Sequence, residues 1–359
     1  MQNSKKMDFI ICYNDKLYLK ECMDYISFLK VPADMEIGII SVVEADSMAA
    51  GYNEAMRASN ALYKVYLHQD VFIINENFIC DVMDVFMQYP EYGMLGVLGS
   101  DRMVGDANYC GKWNVGTTQS CNSIYAAQIV LDTPDIIREV VAIDGMIMIT
   151  QHDISWREDI FDGFDFYDIS QCAEFNKAGY KVGVPKQNSV WCMHDCGHTK
   201  LTKYNHYREI FCREYKNLGY EYADKDYAVR YNMLNLEVEK ILPLIEKNIS
   251  EGDIIGAKGI VEEVFQMYKS NTRLCELRVL CNIILLQNSS EKEKIFYNMS
   301  NVNELLERLR IMKFALRRVE YGKPRGDYTE IIGMFEKKEY MSEILKILVD
   351  SFLVEPVFN

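Results

Sequence analysis

Short apolar segments alternate with amphipathic segments through the first part of the chain. The apolar runs are rich in β-branched residues and predict strands, whereas apolar residues every three or four positions predict the helices between them. The predicted strands are Phe9–Tyr13, Glu36–Val43, Val65–Leu67 and Gly93–Leu98, and the predicted helices are Lys16–Leu29, Met48–Ser59 and Phe78–Gln88. This alternation predicts an α/β fold with a mostly parallel sheet flanked by helices. Such sheets bind ligands beyond the carboxyl ends of their strands.

The alternation continues less regularly to about residue 195. Val140–Thr150 predicts a strand that contains Asp144-Gly145, and a helix is predicted from Ser170 to Lys177. Val182–Pro185 and Ser189–Met193 predict two further short strands.

Helical periodicity dominates from Met233 to Phe352, where glycine is sparse. Two apolar stripes at helical spacing predict the core of a separate all-α domain; they are Leu274, Leu277, Cys281 and Ile284, and Leu305, Leu309, Met312, Leu316 and Val319. We therefore predict an α/β domain at residues 1–220 and a helical domain at residues 221–359. Homo-oligomerisation through this helical domain is an open expectation.

A cluster of basic residues lies on one segment of the predicted helical domain, at Arg308, Arg310, Lys313, Arg317 and Arg318. A cluster of this kind forms either a solvated helix face or a surface that meets an anionic membrane or a partner protein. Peripheral membrane contact is thus one of two open expectations for this segment.

Composition limits the function classes further. The 359-residue chain has a net charge of −14, which argues against nucleic acid as a partner because phosphate binding needs a basic surface. No stretch reaches the roughly 18 apolar residues of a transmembrane helix, and the first residues lack the pattern of a signal peptide. The eleven cysteines have no framework spacing, which is typical of reduced thiols and predicts a cytoplasmic protein.

The most informative local pattern is a polar break in an apolar run. His68, Gln69 and Asp70 interrupt the segment from Leu62 to Ile74. Because desolvating a carboxylate costs several kcal/mol unless cations or donors compensate it, we predict that Asp70 lies at a strand end in a cleft, where it meets a divalent cation. A turn carboxylate that caps the next helix is the alternative.

A second pattern is acidic and aromatic. Asp162, Asp165 and Asp168 recur every three residues among four aromatic side chains, Phe161, Phe164, Phe166 and Tyr167. Aromatic walls raise the proton affinity of a carboxylate, which suits a general base. Acidic residues also stabilise the N-terminus of a helix, and one is predicted to begin here. Both interpretations stay open from this segment alone.

A third segment alternates cysteine and histidine, with Cys192, His194, Cys196 and His198. Alternate residues of a strand are about 6.5 Å apart, so four such ligands do not surround one zinc ion. A single imidazole, that of His194, is the better candidate for a shared metal site. The chain contains neither the dinucleotide-binding glycine fingerprint nor a phosphate-binding P-loop.

Taken together, these residues resemble the GT-A fold, a Rossmann-like fold, of family-2-like bacterial glycosyltransferases over about residues 7–215. Ile11-Cys-Tyr-Asn14 is similar to the first-strand motif whose backbone, here at Cys12 and Tyr13, meets the nucleotide base. Glu44 occupies the place of the base-recognising acid, and Ala50-Gly-Tyr-Asn53 resembles the stretch near the diphosphate. His68-Gln69-Asp70 is similar to the Asp-x-Asp metal motif, with His68 in place of the first Asp. Phe166-Tyr-Asp168 resembles the motif of the catalytic base, and His194 matches the late metal-binding histidine.

The resemblance implies an inverting, metal-dependent transfer from a nucleotide diphosphate sugar, with UDP preferred, to a hydroxyl of a bacterial glycan or glycoconjugate. Asp168 would be the catalytic base, and Asp70 and His194 would bind Mn²⁺ or Mg²⁺. Cys12, Tyr13, Glu44, Asn53, His68, Gln69 and Asp70 would contact the donor. A sugar nucleotidyltransferase and a catalytically silent scaffold acting through the helical tail are the alternatives.

Overall fold

The computed structural model describes residues 2–104, 112–120, 127–195, 201, 203–218, 227–265, 267–268, 271–288, 301–324 and 326–329. Contacts among these residues divide the chain into two units, an N-terminal unit up to Ala228 and a C-terminal unit from Val229 onward. The domain boundary predicted between residues 220 and 221 lies outside the described residues.

The N-terminal unit combines strands and helices, and the C-terminal unit is helical. The strands are β1 (Asn3–Tyr13), β2 (Glu36–Val43), β3 (Ala61–His68), β4 (Val71–Ile73), β5 (Tyr92–Leu95), β6 (Leu98–Ser100), β7 (Val115–Ser120), β8 (Ala127–Val130), β9 (Ile137–Glu139), β10 (Ala142–Ile143), β11 (Ile147–Thr150), β12 (Lys181–Pro185) and β13 (Cys192–His194). The helices are α1 (Lys16–Ser27), α2 (Met48–Ala58), α3 (Phe78–Gln88), α4 (Tyr167–Lys177), α5 (Tyr204–Glu214), α6 (Tyr227–Ser250), α7 (Ile254–Phe265), α8 (Thr272–Asn288) and α9 (Val302–Glu320). The predicted α/β class, with helices after the first strands, is confirmed.

The main sheet has the strand order β2-β1-β3-β11-β5-β12-β9. Strand β1 pairs in parallel with both β2 and β3, and its apolar run Phe9–Ile11 is fully buried, as expected for a central strand covered on both faces. The sheet is mixed, because β11 runs antiparallel to both β3 and β5. A short turn at Asp144-Gly145 joins β11 to β10, which belongs to a second sheet.

That turn explains why one predicted strand is two strands in the structure. The Val140–Thr150 segment forms β10 and β11, which are separated by a turn at Asp144-Gly145. The Asp144 carboxylate accepts a hydrogen bond from the Met146 amide at 2.9 Å, an Asx-type bond that favours a turn over an extended backbone. Periodicity does not report such a bond.

The parallel register brings the ends of the first strands to one edge of the sheet. Cys12 on β1 lies beside His68 on β3, and Tyr13 lies beside Val43 on β2. The residues that follow these strands, Asn14, Glu44 and Gln69, therefore belong to neighbouring turns. This is the edge where the sequence predicts the ligand site.

A second sheet, ordered β10-β6-β7-β13-β4 with β8 paired to β7, adds its own side chains to this region. Strand β13 pairs antiparallel with β4, in a register that places His194 beside Val71. The amide of Asp195 also donates a hydrogen bond to the carbonyl oxygen of Asp70, at 2.8 Å. The polar break after β3 and the end of β13 are thus joined directly.

The C-terminal unit is built around the two predicted apolar stripes. Leu274, Leu277, Cys281, Ile284, Leu305, Leu309, Met312 and Leu316 are buried in one hydrophobic cluster, whereas Val319 is 42% exposed. Helix α8 packs against both α7 and α9.

Three of the five basic residues of α9 do not lie on the exposed surface that either expectation required. Lys313, Arg317 and Arg318 are at most 5% exposed. The Arg310 guanidinium pairs with Glu276 on α8 at 2.8 Å, which places its charge within the helical packing. The Arg308 side chain is 41% exposed and lies 3.8 Å from Glu304. None of the described helices combines the length and the apolar character of a membrane-spanning segment.

We predict that Gly116 on β7 is required for the second sheet. Its φ of +112° belongs to the left-handed region, and a Cβ here would collide with the carbonyl oxygen of Val97. Gly179 is the matched control, since its φ is +88° and a Cβ added there would meet no atom within 4 Å. Gly179→Ala should cost about 1–2 kcal/mol from backbone strain, and Gly116→Ala clearly more.

Urea unfolding followed by tryptophan fluorescence measures this difference. Trp113, Trp156 and Trp191 are the three tryptophans of the chain, and all precede the C-terminal unit, so the signal reports the N-terminal unit alone. Equal midpoints for the two variants would contradict the prediction.

Candidate active site

Three potential metal ligands meet where the two sheets come together. His68 ends β3, Asp70 lies in the turn after it, and His194 ends β13. One ligand atom from each of these side chains lies within 4.8 Å of the others. The Nε2 atom of His194 is 3.5 Å from Oδ1 of Asp70. Among the described residues, this is the one group of three or more histidine, cysteine or acidic side chains with such spacing.

The charges in this cluster favour an ionised Asp70 carboxylate and a neutral His68 imidazole. Burial by itself raises the pKa of Asp70, but the charge and hydrogen bond of His194 outweigh it and leave the pKa below its usual value. Burial lowers the pKa of His68, against the opposing effect of Asp70. Carboxylate and neutral imidazole are the forms that bind a metal ion.

The donor set fits a divalent cation. Two imidazoles and one carboxylate are ligands that several divalent metals accept. The site also remains accessible, because the side chains of His194 and Asp70 keep 19% and 27% of their surface. The predicted convergence of Asp70 and His194 is therefore present, and His68 joins them. Cys196 and His198, the other members of the alternating segment, lie outside the described residues.

Tyr167 connects this cluster to the predicted base. Its hydroxyl is 2.5 Å from Nε2 of His68. The ring is 5% exposed and packs against Tyr52 and Trp156, at centroid distances of 6.0 and 6.2 Å. Tyr167 is the first residue of α4, and Asp168 is the second.

Asp168 is held by the turn between β10 and β11. The amide of Gly145 donates a hydrogen bond to Oδ2 of Asp168 at 3.1 Å. A Cβ on Gly145 would collide with the Tyr167 hydroxyl and would lie 2.9 Å from Cβ of Asp168. Glycine is therefore needed here for Tyr167 and Asp168 to approach the turn.

The backbone before Asp168 is strained. Helix α4 begins at Tyr167, three residues earlier than predicted, because Phe166 adopts the left-handed conformation, with φ 64°, as its N-cap. The Phe166 ring is fixed by Tyr204 and Phe211 on α5, at centroid distances of 4.9 and 5.6 Å. Such strain costs of order 1–3 kcal/mol and concentrates at functional sites.

Burial raises the pKa of Asp168 to about 7, and the negative charge of Asp144 adds to the increase. Asp144 is the site residue that sequence reasoning missed as a functional group. The signal was the Asp-Gly pair inside an apolar run, which has the same form as the break at Asp70.

The other two acids of the repeated pattern have different partners. Asp162 accepts a hydrogen bond from the Tyr207 hydroxyl at 2.6 Å, which holds its pKa below the usual value. Burial raises the pKa of Asp165 to about 6. Of the three, Asp168 is the one that follows Tyr167, whose hydroxyl contacts His68 of the metal-ligand cluster.

Comparison with known proteins agrees with this geometry. The model of a family described as "Glycosyltransferase like family" matches residues 8–215, more than half of the chain. The chain belongs to this glycosyltransferase-like family. The resemblance predicted from the motifs is confirmed over nearly the same residues. No curated protein matches the sequence.

Several solved structures are similar at low identity. The crystal structure of S. aureus TarS is 11% identical with a TM-score of 0.37, and the match covers 80% of this chain and 49% of that one. The present chain thus spans about half the length of TarS. A structure of TarS residues 1–349 in complex with UDP is 9% identical with a TM-score of 0.38, covering 81% and 94%. A197 from STIV is 12% identical with a TM-score of 0.30, covering 50% and 82%.

In this glycosyltransferase-like chain, the predicted base-binding residues share the edge of the main sheet. The amide of Glu44 donates a hydrogen bond to the carbonyl oxygen of Tyr13 at 2.9 Å, and the Glu44 side chain is exposed. Glu44 has a φ of 45°, so it and Phe166 are the described non-glycine residues in the left-handed region. The Cys12 thiol is buried, and a Cβ on Gly51 would lie 2.6 Å from its sulfur. Donor contacts by Cys12, Tyr13 and Glu44 stay a prediction.

Two predicted donor contacts have side chains that bind the protein itself. The Asn53 amide exchanges two hydrogen bonds with the backbone of Trp156, both at 2.9 Å, and Asn53 is 2% exposed. The Gln69 oxygen accepts from the amides of Asn14 and Asp15, at 3.0 and 2.9 Å. These hydrogen bonds give the side chains of Asn53 and Gln69 a structural role. Their contact with a nucleotide-sugar donor also stays a prediction.

The raised pKa of Asp168 predicts a stability that depends on pH. Because the folded protein holds this proton up to about pH 7 and the unfolded chain releases it near pH 4, stability falls as pH rises between these values. Asp168→Asn removes that loss. At pH 8 the variant should be more stable than the unmodified protein by about 1–4 kcal/mol, and near pH 4 the two should be similar.

Urea unfolding at pH 5 and pH 8 measures this difference. Asp162→Asn is the matched control with the opposite sign, because the pKa of Asp162 is lowered and its ionised form stabilises the fold. That variant should lose stability at pH 8. A gain for Asp168→Asn that is equal at both pH values would contradict the titration of Asp168.

Proposed function

We propose that this protein transfers a sugar from a nucleotide diphosphate sugar to a hydroxyl group, by an inverting and metal-dependent reaction. The acceptor is a glycan or glycoconjugate of bacterial type, and a UDP-sugar is the preferred donor on the resemblance of the motifs. The observation that carries the proposal is the cluster of Asp70, His194 and His68 joined through Tyr167 to a base of raised pKa.

Asp70 and His194 would hold the cation, Mn²⁺ or Mg²⁺. When bound, the cation supplies positive charge that neutralises a diphosphate leaving group. The residues of this chain define its place: β4 and β13 pair so that His194 faces the Asp70 turn, and the Asp195 amide fixes the backbone of Asp70. Their side chains are partly exposed, so a ligand can reach them.

Asp168 would accept the proton of the acceptor hydroxyl. A base is most effective when its pKa lies near the working pH, and a pKa of about 7 meets this condition. A direct attack by the acceptor on the face opposite the leaving group inverts the anomeric centre. The Gly145 amide would keep the carboxylate oriented, since it already donates to Oδ2.

The donor would lie along the carboxyl edge of the main sheet. The backbone at Cys12 and Tyr13 and the exposed carboxylate of Glu44 would contact the base. Asn53, His68, Gln69 and Asp70 would lie toward the ribose and diphosphate. For Asn53 and Gln69 the contribution would be to fix the turns around the donor, given the bonds that their amides make within the protein.

We assign the reaction to a domain at residues 1–220 and treat residues 221–359 as a separate helical domain, which could mediate homo-oligomerisation. We place the protein in the cytoplasm, with peripheral membrane contact as a further option. The free thiols of the described cysteines support a reducing compartment. The burial of the α9 basic residues gives the membrane option no support.

We predict that Asp168→Asn abolishes transfer but keeps donor binding. Losing the base should reduce turnover by about 10²–10⁴-fold, whereas the cation ligands are untouched. A screen of nucleotide sugars for Mn²⁺-dependent hydrolysis identifies the donor, and the variant is then compared by turnover and by calorimetry with UDP and Mn²⁺. Asp162→Asn is the control and should retain turnover. Unchanged turnover in Asp168→Asn would refute the assignment.

We also predict that turnover rises with pH through about 7, because only ionised Asp168 accepts a proton. Asp144→Asn should move this rise to lower pH, since it removes a negative charge that favours protonated Asp168. The asparagine keeps an oxygen for the Met146 amide, so the turn should persist. A pH–rate profile of both proteins measures the shift, and coincident midpoints would exclude coupling between the two acids.

A further inference from the structure

His68, the residue at the first position of the metal motif, is itself a member of the ligand cluster. His68 lies with Asp70 and His194 inside the 4.8 Å group, although an Asp stands at this position in the motif that the segment resembles. The His68 and His194 rings are 5.8 Å apart between centroids and inclined by 61°.

Tyr167 gives the His68 ring the support that metal-binding histidines usually have. A histidine that binds a metal through one nitrogen typically donates the other N–H to an oxygen, which fixes both tautomer and orientation. The Tyr167 oxygen lies at that distance from Nε2 of His68, so Nδ1 is the nitrogen left for a cation. The tyrosine is itself fixed by Tyr52 and Trp156 and by the close approach to Gly145.

The donor set separates Mg²⁺ from transition metals. Mg²⁺ binds oxygen ligands and loses its water reluctantly, whereas imidazole suits transition metals, whose affinities rise from Mn²⁺ toward Cu²⁺. An Asp at position 68 would give a second carboxylate and favour Mg²⁺. With His68 at this position, two of the three side-chain ligands are nitrogen atoms.

We infer that His68 is the third ligand of the cation site, that Tyr167 is its positioning residue, and that the site therefore selects a transition metal such as Mn²⁺ over Mg²⁺. The inference rests on the proposed function for the site's role in the reaction. It concerns metal binding itself, so it can be measured without turnover.

Titration of the full-length protein with Mn²⁺ alone, followed by the electron paramagnetic resonance of the free ion, gives the affinity for Mn²⁺. Displacement by Mg²⁺ gives the Mn²⁺-to-Mg²⁺ preference. In His68→Asp this preference should fall by about tenfold or more, because an oxygen ligand replaces nitrogen. In Tyr167→Phe the affinity for Mn²⁺ should fall about 10–100-fold, with the preference for Mn²⁺ retained.

Two controls separate ligand loss from unfolding. His152→Asp changes a histidine that stacks on Tyr180 at 4.0 Å, outside the ligand cluster, and should leave both affinities unchanged. Thermal unfolding followed by circular dichroism checks that each variant is folded. If His68→Asp does not fold, His68→Asn takes its place, and the affinity of His68→Asn for Mn²⁺ should be lower than that of the unmodified protein. The visible absorption of Co²⁺-loaded protein should also change with His68→Asp and not with His152→Asp.

The outcomes distinguish this inference from the proposed function. A folded position-68 variant with the Mn²⁺ affinity and preference of the unmodified protein, or an unmodified protein that prefers Mg²⁺, would overturn the inference. If the preference depends on His68 as expected but no nucleotide sugar is hydrolysed with Mn²⁺, the proposed transfer fails and the metal assignment stands.

Discussion

The site depends on a pairing of only three residues between β13 and β4. This short ladder holds His194, at the end of β13, against the turn between β3 and β4 that carries Asp70. The Asp195 amide extends the contact by one bond to the Asp70 carbonyl. On the other side, the long parallel pairing of β1 with β3 fixes His68 beside Cys12. The ligand cluster is therefore a product of backbone hydrogen bonds made by both sheets.

Features that oppose stability collect around the same place. Asp168 has a carboxyl group in an environment that resists its ionisation, and the residue two positions earlier in the chain, Phe166, has a left-handed backbone. Glu44, which follows β2 at the carboxyl edge of the main sheet, also has a left-handed backbone. Strained and desolvated groups persist only where the surrounding packing holds them, as the α5 aromatic rings hold Phe166. This concentration is a physical argument for function that is separate from the motifs.

Much of this arrangement was predictable from the sequence, because hydrophobic periodicity reports helices and buried strands directly. The first three strands and helices follow from such patterns, the Asp70 turn follows from a polar break in one of them, and the partner His194 follows from the alternating cysteine and histidine residues and from the family resemblance. The role of Asp144 did not, because the bond from the Met146 amide that makes its turn is invisible to periodicity. The burial of Arg317 and Arg318 could not be predicted for a different reason. A basic helix segment has the same sequence whether its charges face water or acidic neighbours.

The side chain of Gln69 has a mechanical consequence. By accepting two amide hydrogens and donating to Asn14, it ties the loop after the first strand to the turn that bears Asp70. These two loops cannot fluctuate independently. A nucleotide bound to the loop after β1 would reduce the motion of the Asp70 turn before a cation binds there, and a cation bound first would reduce the motion of that loop. Binding of either ligand would therefore lower the entropic cost of binding the other. Cooperation between the two would then need no movement visible in a comparison of empty and filled states.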